Sequence, residues 1–214
     1  MKKYPRTAHV PFSPGCSSND KIHQNIDFFE GKEIVITEKM DGENTTMMND
    51  CIHARSLDSG DHPSRHWVKG MWGEIKHEIP DDWKICGENL YAKHSLAYKN
   101  LSSYFLVFSI WDENDICLSW DDTVTYSEFL SLETVPVLWR GIYNKDFVEN
   151  FKINTEIQEG FVIRIADSFP FKDFEKSVAK WVREGHVTTE DHWMFKKIVP
   201  NELKPKLKNN KYGN

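Results

Sequence analysis

The chain has no pair of cysteines placed to act together. Its four cysteines, Cys16, Cys51, Cys86 and Cys117, are scattered through 214 residues without a C-x-x-C pair. The simplest reading of that spacing is free thiols in a reducing compartment. No apolar run approaches the ~18–20 residues that a membrane helix needs. Met1-Lys2-Lys3 is followed by Tyr4-Pro5-Arg6 rather than by an apolar stretch, so the expectation is a soluble cytoplasmic protein without a secretory signal. Excess positive charge is lacking too. The formal net charge is -6, and a field of that sign does not announce a nucleic-acid binder. Neither a repeat nor a low-complexity linker divides the chain, which predicts one domain over residues 1–214. Pro5, Pro11, Pro14 and Gly15 mark residues 1–20 as an extended entry segment. Residues 195–214 form a basic tail of six lysines against Glu202, carrying +5 while the remainder carries -11; such a tail reads first as a solvated end.

What is present is ample apolar and aromatic material, 39% and 13% of residues, enough for a sizeable core. Apolar runs predict strands at Ile34–Thr37, Ile52–Arg55, Lys84–Cys86, Tyr104–Trp111 and Phe161–Ile165. Tyr104–Trp111 is nearly continuous, as expected of a central strand buried on both faces. Trp67, Met71 and Ile75 recur every four residues within Ser64–Glu78 and predict a helix with one apolar face. Thr125-x-x-Glu128 has capping-box spacing ahead of Phe129, Leu130 and Leu132, and Lys145–Phe151 predicts another short helix. Strands and helices without regular alternation indicate an α+β fold of antiparallel sheets flanked by helices.

The segment with most chemistry is Glu38-Lys39-Met40-Asp41-Gly42-Glu43-Asn44, which follows the apolar Ile34-Val35-Ile36. A lysine carried by a buried strand into a turn of carboxylates is seldom there for packing, and a confined lysine can become a nucleophile. Four further segments place polar groups at strand edges. They are His53-Ala54-Arg55-Ser56, Cys86-Gly87-Glu88-Asn89, Glu159-Gly160-Phe161-Val162-Ile163-Arg164 and Val178-Ala179-Lys180-Trp181-Val182-Arg183. Each alone fits turn chemistry. Their order along the chain is the stronger signal.

In that order the chain resembles the covalent nucleotidyltransferases, the polynucleotide ligases and capping enzymes, over roughly residues 33–183. Lys39-x-Asp41-Gly42, Arg55, Gly87-Glu88, the Tyr104–Trp111 strand, Glu159-Gly160 and Lys180 take the places of motifs I, Ia, III, IIIa, IV and V. Glu38-Lys39-x-x-Gly42-x-Asn44 is most similar to the ATP-dependent RNA ligases of the nick-sealing type. The resemblance implies a nucleotidyltransferase (adenylation) domain with the nucleotide between two antiparallel sheets, and no room for an appended OB domain. It implies that Lys39 attacks the α-phosphorus of ATP to give lysyl-AMP. AMP then passes to an RNA 5′-phosphate and is displaced by a 3′-hydroxyl. By the same resemblance Glu38 sits by the adenine amino group and Phe108 stacks on the base. Asn44 and Arg55 contact the sugar–phosphate region or the RNA end, and Glu88 holds the ribose hydroxyls or a metal. Glu159 helps bind Mg²⁺ (or Mn²⁺), and Lys180 neutralises the α-phosphate. The implied cofactors are thus ATP and a divalent ion, and the implied partners are RNA ends or a nicked duplex, with an end-healing kinase or phosphatase as a further candidate. The metal ion, Arg55 and Lys180 are expected to lower the pKa of Lys39 from its reference of about 10.4.

Two departures carry alternatives. Motif V usually has two lysines one residue apart, whereas the neighbours of Lys180 at that spacing are Val178 and Val182; Lys176 or Arg183 are candidates for the missing charge. An incomplete motif V also fits a catalytically silent module that binds nucleotide or RNA ends. Asp41 stands where many RNA ligases carry His or Glu, and K-x-D-G also fits DNA ligases and capping enzymes. Elsewhere the plainer readings prevail. Cys51, His53, His62 and His66 lack the spacing of a zinc finger, and Trp67, Met71, Trp72 and Trp83 read as core. His186, Glu190, Asp191, His192 and Trp193 read as a solvated helix start.

Overall fold

In the computed structural model, residues 3–57, 60–185 and 198–205 are described. Two sheets carry the fold. The first has five strands in the order β1 (Ala8–His9), β12 (Val178–Val182), β10 (Gly160–Ile165), β2 (Glu33–Lys39) and β9 (Val137–Ile142). The second has β11 (Phe169–Pro170), β7 (Ile116–Cys117), β6 (Phe105–Trp111), β5 (Lys84–Asn89), β3 (Glu43–Met47) and β4 (Ile52–Ala54), with β8 (Glu133–Thr134) beside β6. All pairings are antiparallel except β1 with β12 and β6 with β8. The fold is therefore α+β with antiparallel sheets, as the residue pattern indicates.

β2 positions the site. Ile34, Val35 and Ile36 are fully buried, because the strand is covered on both faces. Ile34 and Ile36 join Phe161 and Ile163 of β10, with Cys86 and Trp111 of the second sheet, in one core cluster. Val35 packs on the other side with Met40, Leu90 and Leu106. Both clusters span the two sheets, so the sheets are locked together where β2 ends at Lys39. On the far side of the second sheet, Trp67, Met71, Trp72 and Ile75 of helix α1 (His66–Ile75) and Trp83 pack against Ile85, Val107 and Ile110. This is the core role their spacing predicts.

Two local expectations need correction. Thr125 does not start a helix: α2 runs over Trp120–Phe129, capped by Ser119, whose hydroxyl accepts the Asp122 N–H at 3.0 Å. Ser119-x-x-Asp122 satisfies the free N–H groups one and a half turns earlier, and Thr125 bonds back to the Asp121 carbonyl at 2.9 Å instead. The short helix α3 (Lys145–Glu149) starts behind an Asn144 cap and ends before Phe151. The described part of the basic tail is largely exposed, Lys204 included, as expected of a solvated end, but Asn201 anchors it. Asn201 is buried; its amide donates to the Leu90 carbonyl at 2.8 Å and accepts from Tyr98 N–H at 2.9 Å. The cluster from His186 to Trp193 lies outside the described residues. No helix among the described residues is long and apolar enough to cross a membrane, and all four cysteines are free.

Candidate active site

Lys39 leaves the sheet at the end of β2, directly across from Gly160 of β10. A side chain at Gly160 would lie 2.1 Å from the Trp181 carbonyl oxygen, so the Glu-Gly pair lets β10 and β12 close on each other beside the lysine. Gly42 is required for a similar reason: a β-carbon there would meet the Asn89 carbonyl at 2.5 Å. Its N–H donates to Glu88 at 3.1 Å. The close approach is thus to strand β5, and it aims the Glu88 carboxylate at the turn.

Asp41 faces away from this chemistry. Its buried Oδ2 accepts from Ser95 N–H at 2.8 Å, Ser95 Oγ at 2.6 Å and Leu96 N–H at 2.7 Å, which ties the 95–98 loop to the turn. Asp41→Ala is expected to cost roughly 2–4 kcal/mol of stability, since it leaves several buried donors without an acceptor; urea unfolding would check this. Glu43 makes a two-pronged ion pair with Arg65, at 2.5 and 2.7 Å.

The Lys39 ammonium is hydrogen-bonded to Glu159, whose side chain is buried. Burial pushes the lysine pKa down, but Glu159, Glu88 and Asp41 outweigh it and hold Lys39 above its ordinary value. The expected depression is therefore not present in the protein alone, where three carboxylates outweigh burial. Lys180 itself is lowered, by burial first and then by Lys39.

Burial pushes Glu88 up to about 8; Glu159 adds to this, while Lys39 and the Gly42 N–H oppose it. A carboxyl raised in the folded state contributes stability that is complete below its unfolded pKa and lost as pH rises through the folded one. For Glu88 that window runs from 4.5 to about 8. Glu88→Gln mimics the protonated form and keeps an acceptor for Gly42. Its melting temperature is expected to match wild type near the bottom of the window. It should exceed wild type by at least about 2 °C at the top, the shift per kcal/mol in a domain of this size.

These groups open into a cavity of about 320 Å³ between the sheets, within the range of small-molecule sites. Glu38, Lys39, Asn44, Arg55, Glu88, Phe108 and Lys180 all line it. The seven come from β2, β3, β5, β6, β12 and the end of β4, and Glu159 stands behind Lys39. Phe108 of β6 and Val162 of β10 line the cavity from opposite sheets. Gln158 donates to Glu38 at 3.0 Å, and burial raises the Glu38 pKa. Asn44, one of the lining residues, has its Oδ1 buried without a hydrogen-bond partner, an orphan acceptor that a small shift of the side chain would offer to a ligand donor. Neither Lys176 nor Arg183 lines the cavity; Lys176 is exposed at the end of the 3-10 helix Phe171–Lys176.

Sequence reasoning missed Tyr4, Arg6 and Asp20 as cavity residues, and Gln158 as the partner of Glu38. Gln158 adjoins Glu159-Gly160, so its neighbourhood offered a signal. Tyr4 and Arg6 carried none, because only tertiary pairing brings residues 4–7 to the site. Among the described residues no three His, Cys, Asp or Glu side chains group tightly enough to hold a metal ion. Cys51, His53, His62 and His66 engage separate partners.

A family model described as RNA ligase matches residues 32–182. Among solved structures, an archaeal ATP-dependent RNA ligase has 13% identity and a TM-score of 0.56, covering 86% of this chain and 48% of that one. A variant of the Naegleria gruberi RNA ligase, solved with ATP and Mn, has 16% identity and a TM-score of 0.52, covering 78% and 54%. An Aquifex aeolicus protein assigned as an ATP-dependent DNA ligase has 18% identity and a TM-score of 0.54, covering 86% and 50%. The chain spans about half the length of these structures. At such identities the likeness establishes the fold. A search of curated proteins found no match.

Proposed function

This chain belongs to the RNA ligase family, and on that premise we propose that it joins RNA 3′-hydroxyl and 5′-phosphate ends at the expense of ATP. The observation that carries the reading is a single lysine. Lys39 ends a strand buried on both faces, is bonded to a buried glutamate, and opens into a cavity with an aromatic ring and further cations.

In the proposed mechanism the adenine lies between Phe108 and Val162, with Glu38, held by Gln158, at its amino group. Asn44 and Arg55 meet the sugar–phosphate. Lys39 Nζ, once deprotonated, attacks the α-phosphorus; a P–N bond forms and the bond to pyrophosphate breaks. Lys180 faces the negative charge that grows on the phosphoryl oxygens. The AMP then passes to an RNA 5′-phosphate, and a 3′-hydroxyl displaces it as the phosphodiester forms.

Lys39 must lose its proton first, and Glu159 Oε2 already accepts a hydrogen bond from Nζ. Glu159 and Glu88 suit a hard divalent ion that keeps water and phosphate oxygens as its other ligands, which is how Mg²⁺ is commonly held. When bound, such an ion would offset the carboxylates that hold Lys39 as an ammonium and neutralise phosphate charge. Asp41, whose carboxylate is engaged by Ser95 and Leu96, offers no support for a DNA or cap acceptor.

The test is the mass of the intact protein after ATP and Mg²⁺, with GTP in parallel. One added AMP, reversed by pyrophosphate, is the expected result. Nucleotide binding without covalent capture by the folded protein would reject the reading in favour of a silent binding module. Nicks with RNA or DNA 3′-hydroxyl strands then test the acceptor, RNA being the expected preference.

A further inference from the structure

We propose that Arg6 is a phosphate-binding residue of this cavity, completing with Arg55 and Lys180 a three-cation site for a phosphoryl group of the substrate. The inference rests on the ligase reading above. Residues 4–7 line the cavity, and the chain is pinned on both sides of Arg6. Downstream, β1 pairs in parallel with β12 through Ala8 with Ala179 and His9 with Lys180. The backbone is thereby fixed beside the cation at the centre of β12. Upstream, the Tyr4 carbonyl accepts the Arg55 Nε–H at 3.3 Å. The Tyr4 ring meets Phe108 and Phe174 edge-on, at 5.1 and 5.4 Å between centroids.

Arg6 is therefore held at the mouth of the cavity rather than on a loose end. One of its terminal N–H groups donates to the Asn19 carbonyl at 3.0 Å, leaving others of its five donors for a ligand. The three cations come from residues 6, 55 and 180, and the charge of Arg6 reaches each of the other two. Burial lowers the pKa of Arg55 and Arg6 lowers it further; Lys180 is lowered by burial, then by Lys39, and by Arg6 as well. Asp20 lines the same cavity and faces Lys180, which offsets one of the charges.

Like charges gathered into a partly desolvated pocket are unfavourable until an anion arrives. Planar guanidinium donors match phosphate oxygens. Val178 and Val182 supply no second cation on β12, Lys176 and Arg183 do not line the cavity, and Arg164, which does, donates to the Ile165 and Leu118 carbonyls. Arg6 brings that charge from the opposite end of the chain.

The phosphoryl group belongs either to the triphosphate of ATP or to the RNA 5′ end, and two measurements on Arg6→Gln and Arg6→Lys separate these. The first is the rate of AMP-adduct formation against ATP concentration with Mg²⁺. The second is AMP transfer from pre-adenylated protein to a 5′-phosphorylated RNA. Arg6→Gln is expected to slow one of them about 10- to 100-fold, the effect of losing a charged hydrogen bond, with Arg6→Lys recovering part. Loss in the first assigns the ATP phosphates, and loss confined to the second assigns the RNA terminus. Wild-type rates in both would overturn the proposal.

Should the variants fold poorly, wild-type protein answers the same question. ATP with Mg²⁺, or the 5′-phosphorylated RNA, should slow phenylglyoxal modification of Arg6 in peptide maps. No protection by either overturns the proposal. Absence of any adduct in wild-type protein would overturn the ligase reading itself, and this proposal with it.

Discussion

Lys39→Ala is expected to abolish the AMP adduct altogether, with no residual covalent species in intact-mass spectra. Among the described residues no other lysine is hydrogen-bonded to Glu159. Lys180, the other lysine lining the cavity, has its charge drawn to Asp20 as well as to Glu159, and its proposed part is to face the phosphate. The loss should therefore be one of chemistry, with ATP binding retained because Phe108, Arg55 and Lys180 stay in place. Lys39→Arg, which keeps the charge opposite Glu159, should also form no adduct, since a guanidinium does not deprotonate in proteins. Any adduct in either variant would move the nucleophile elsewhere and refute the assignment.

Glu159→Gln carries the second-largest expected effect, and two readouts separate its roles. Glu159 heads the carboxylates that hold Lys39 above its ordinary pKa. Removing its charge should move the pH profile of adduct formation towards acid, because the lysine then loses its proton more easily. If Glu159 also holds the divalent ion, the maximal rate should fall on the order of 10²- to 10³-fold. That is the scale seen when one preorganised electrostatic group is removed. Half-saturation should also move to higher Mg²⁺. Single-turnover rates over pH and Mg²⁺ concentration check both. An acid shift with unchanged Mg²⁺ dependence would leave Glu159 as counter-ion alone and remove it from the metal site.

Much of the candidate site is legible because it is written as interruptions of strands. Lys39 and Glu88 follow closely on the apolar stretches Ile34-Val35-Ile36 and Ile85-Cys86, and Lys180 lies inside one, so each is tied to a strand that local sequence marks. Phe108 is legible only by position in Phe105–Trp111, where six of the seven residues are buried and Phe108 is the partly open one that faces the cavity. The helix cap at Ser119 was harder to find, since Thr125-x-x-Glu128 has spacing as good and only the true chain turn decides between them.

Asp41 shows the limit of motif reading. Its place beside Lys39 suggests chemistry, yet its carboxylate holds Ser95 and Leu96, partners more than fifty residues away. The ionisation of Lys39 shows the same limit. The motif names a metal ion, Arg55 and Lys180 as groups that lower its pKa; in the protein alone, the carboxylates that fold around it raise it.

Local sequence pattern marked β2, β4, β5, β6 and β10, the α+β class and the order of the groups that end those strands, because hydrophobic patterning and turn chemistry act within a few residues. β3, rich in polar residues, and β9, interrupted by Arg140-Gly141, carry no such mark. Tertiary structure alone decided which of those groups meet. The Lys39–Glu159 contact spans 120 positions and the Arg55–Tyr4 contact 51. β1, only two residues long, takes its place from pairing with β12. Charge and burial at the cavity follow from those long-range pairings, since Coulomb interaction and desolvation depend on distance in space, and residues 6, 55 and 180 are neighbours only once both sheets have formed.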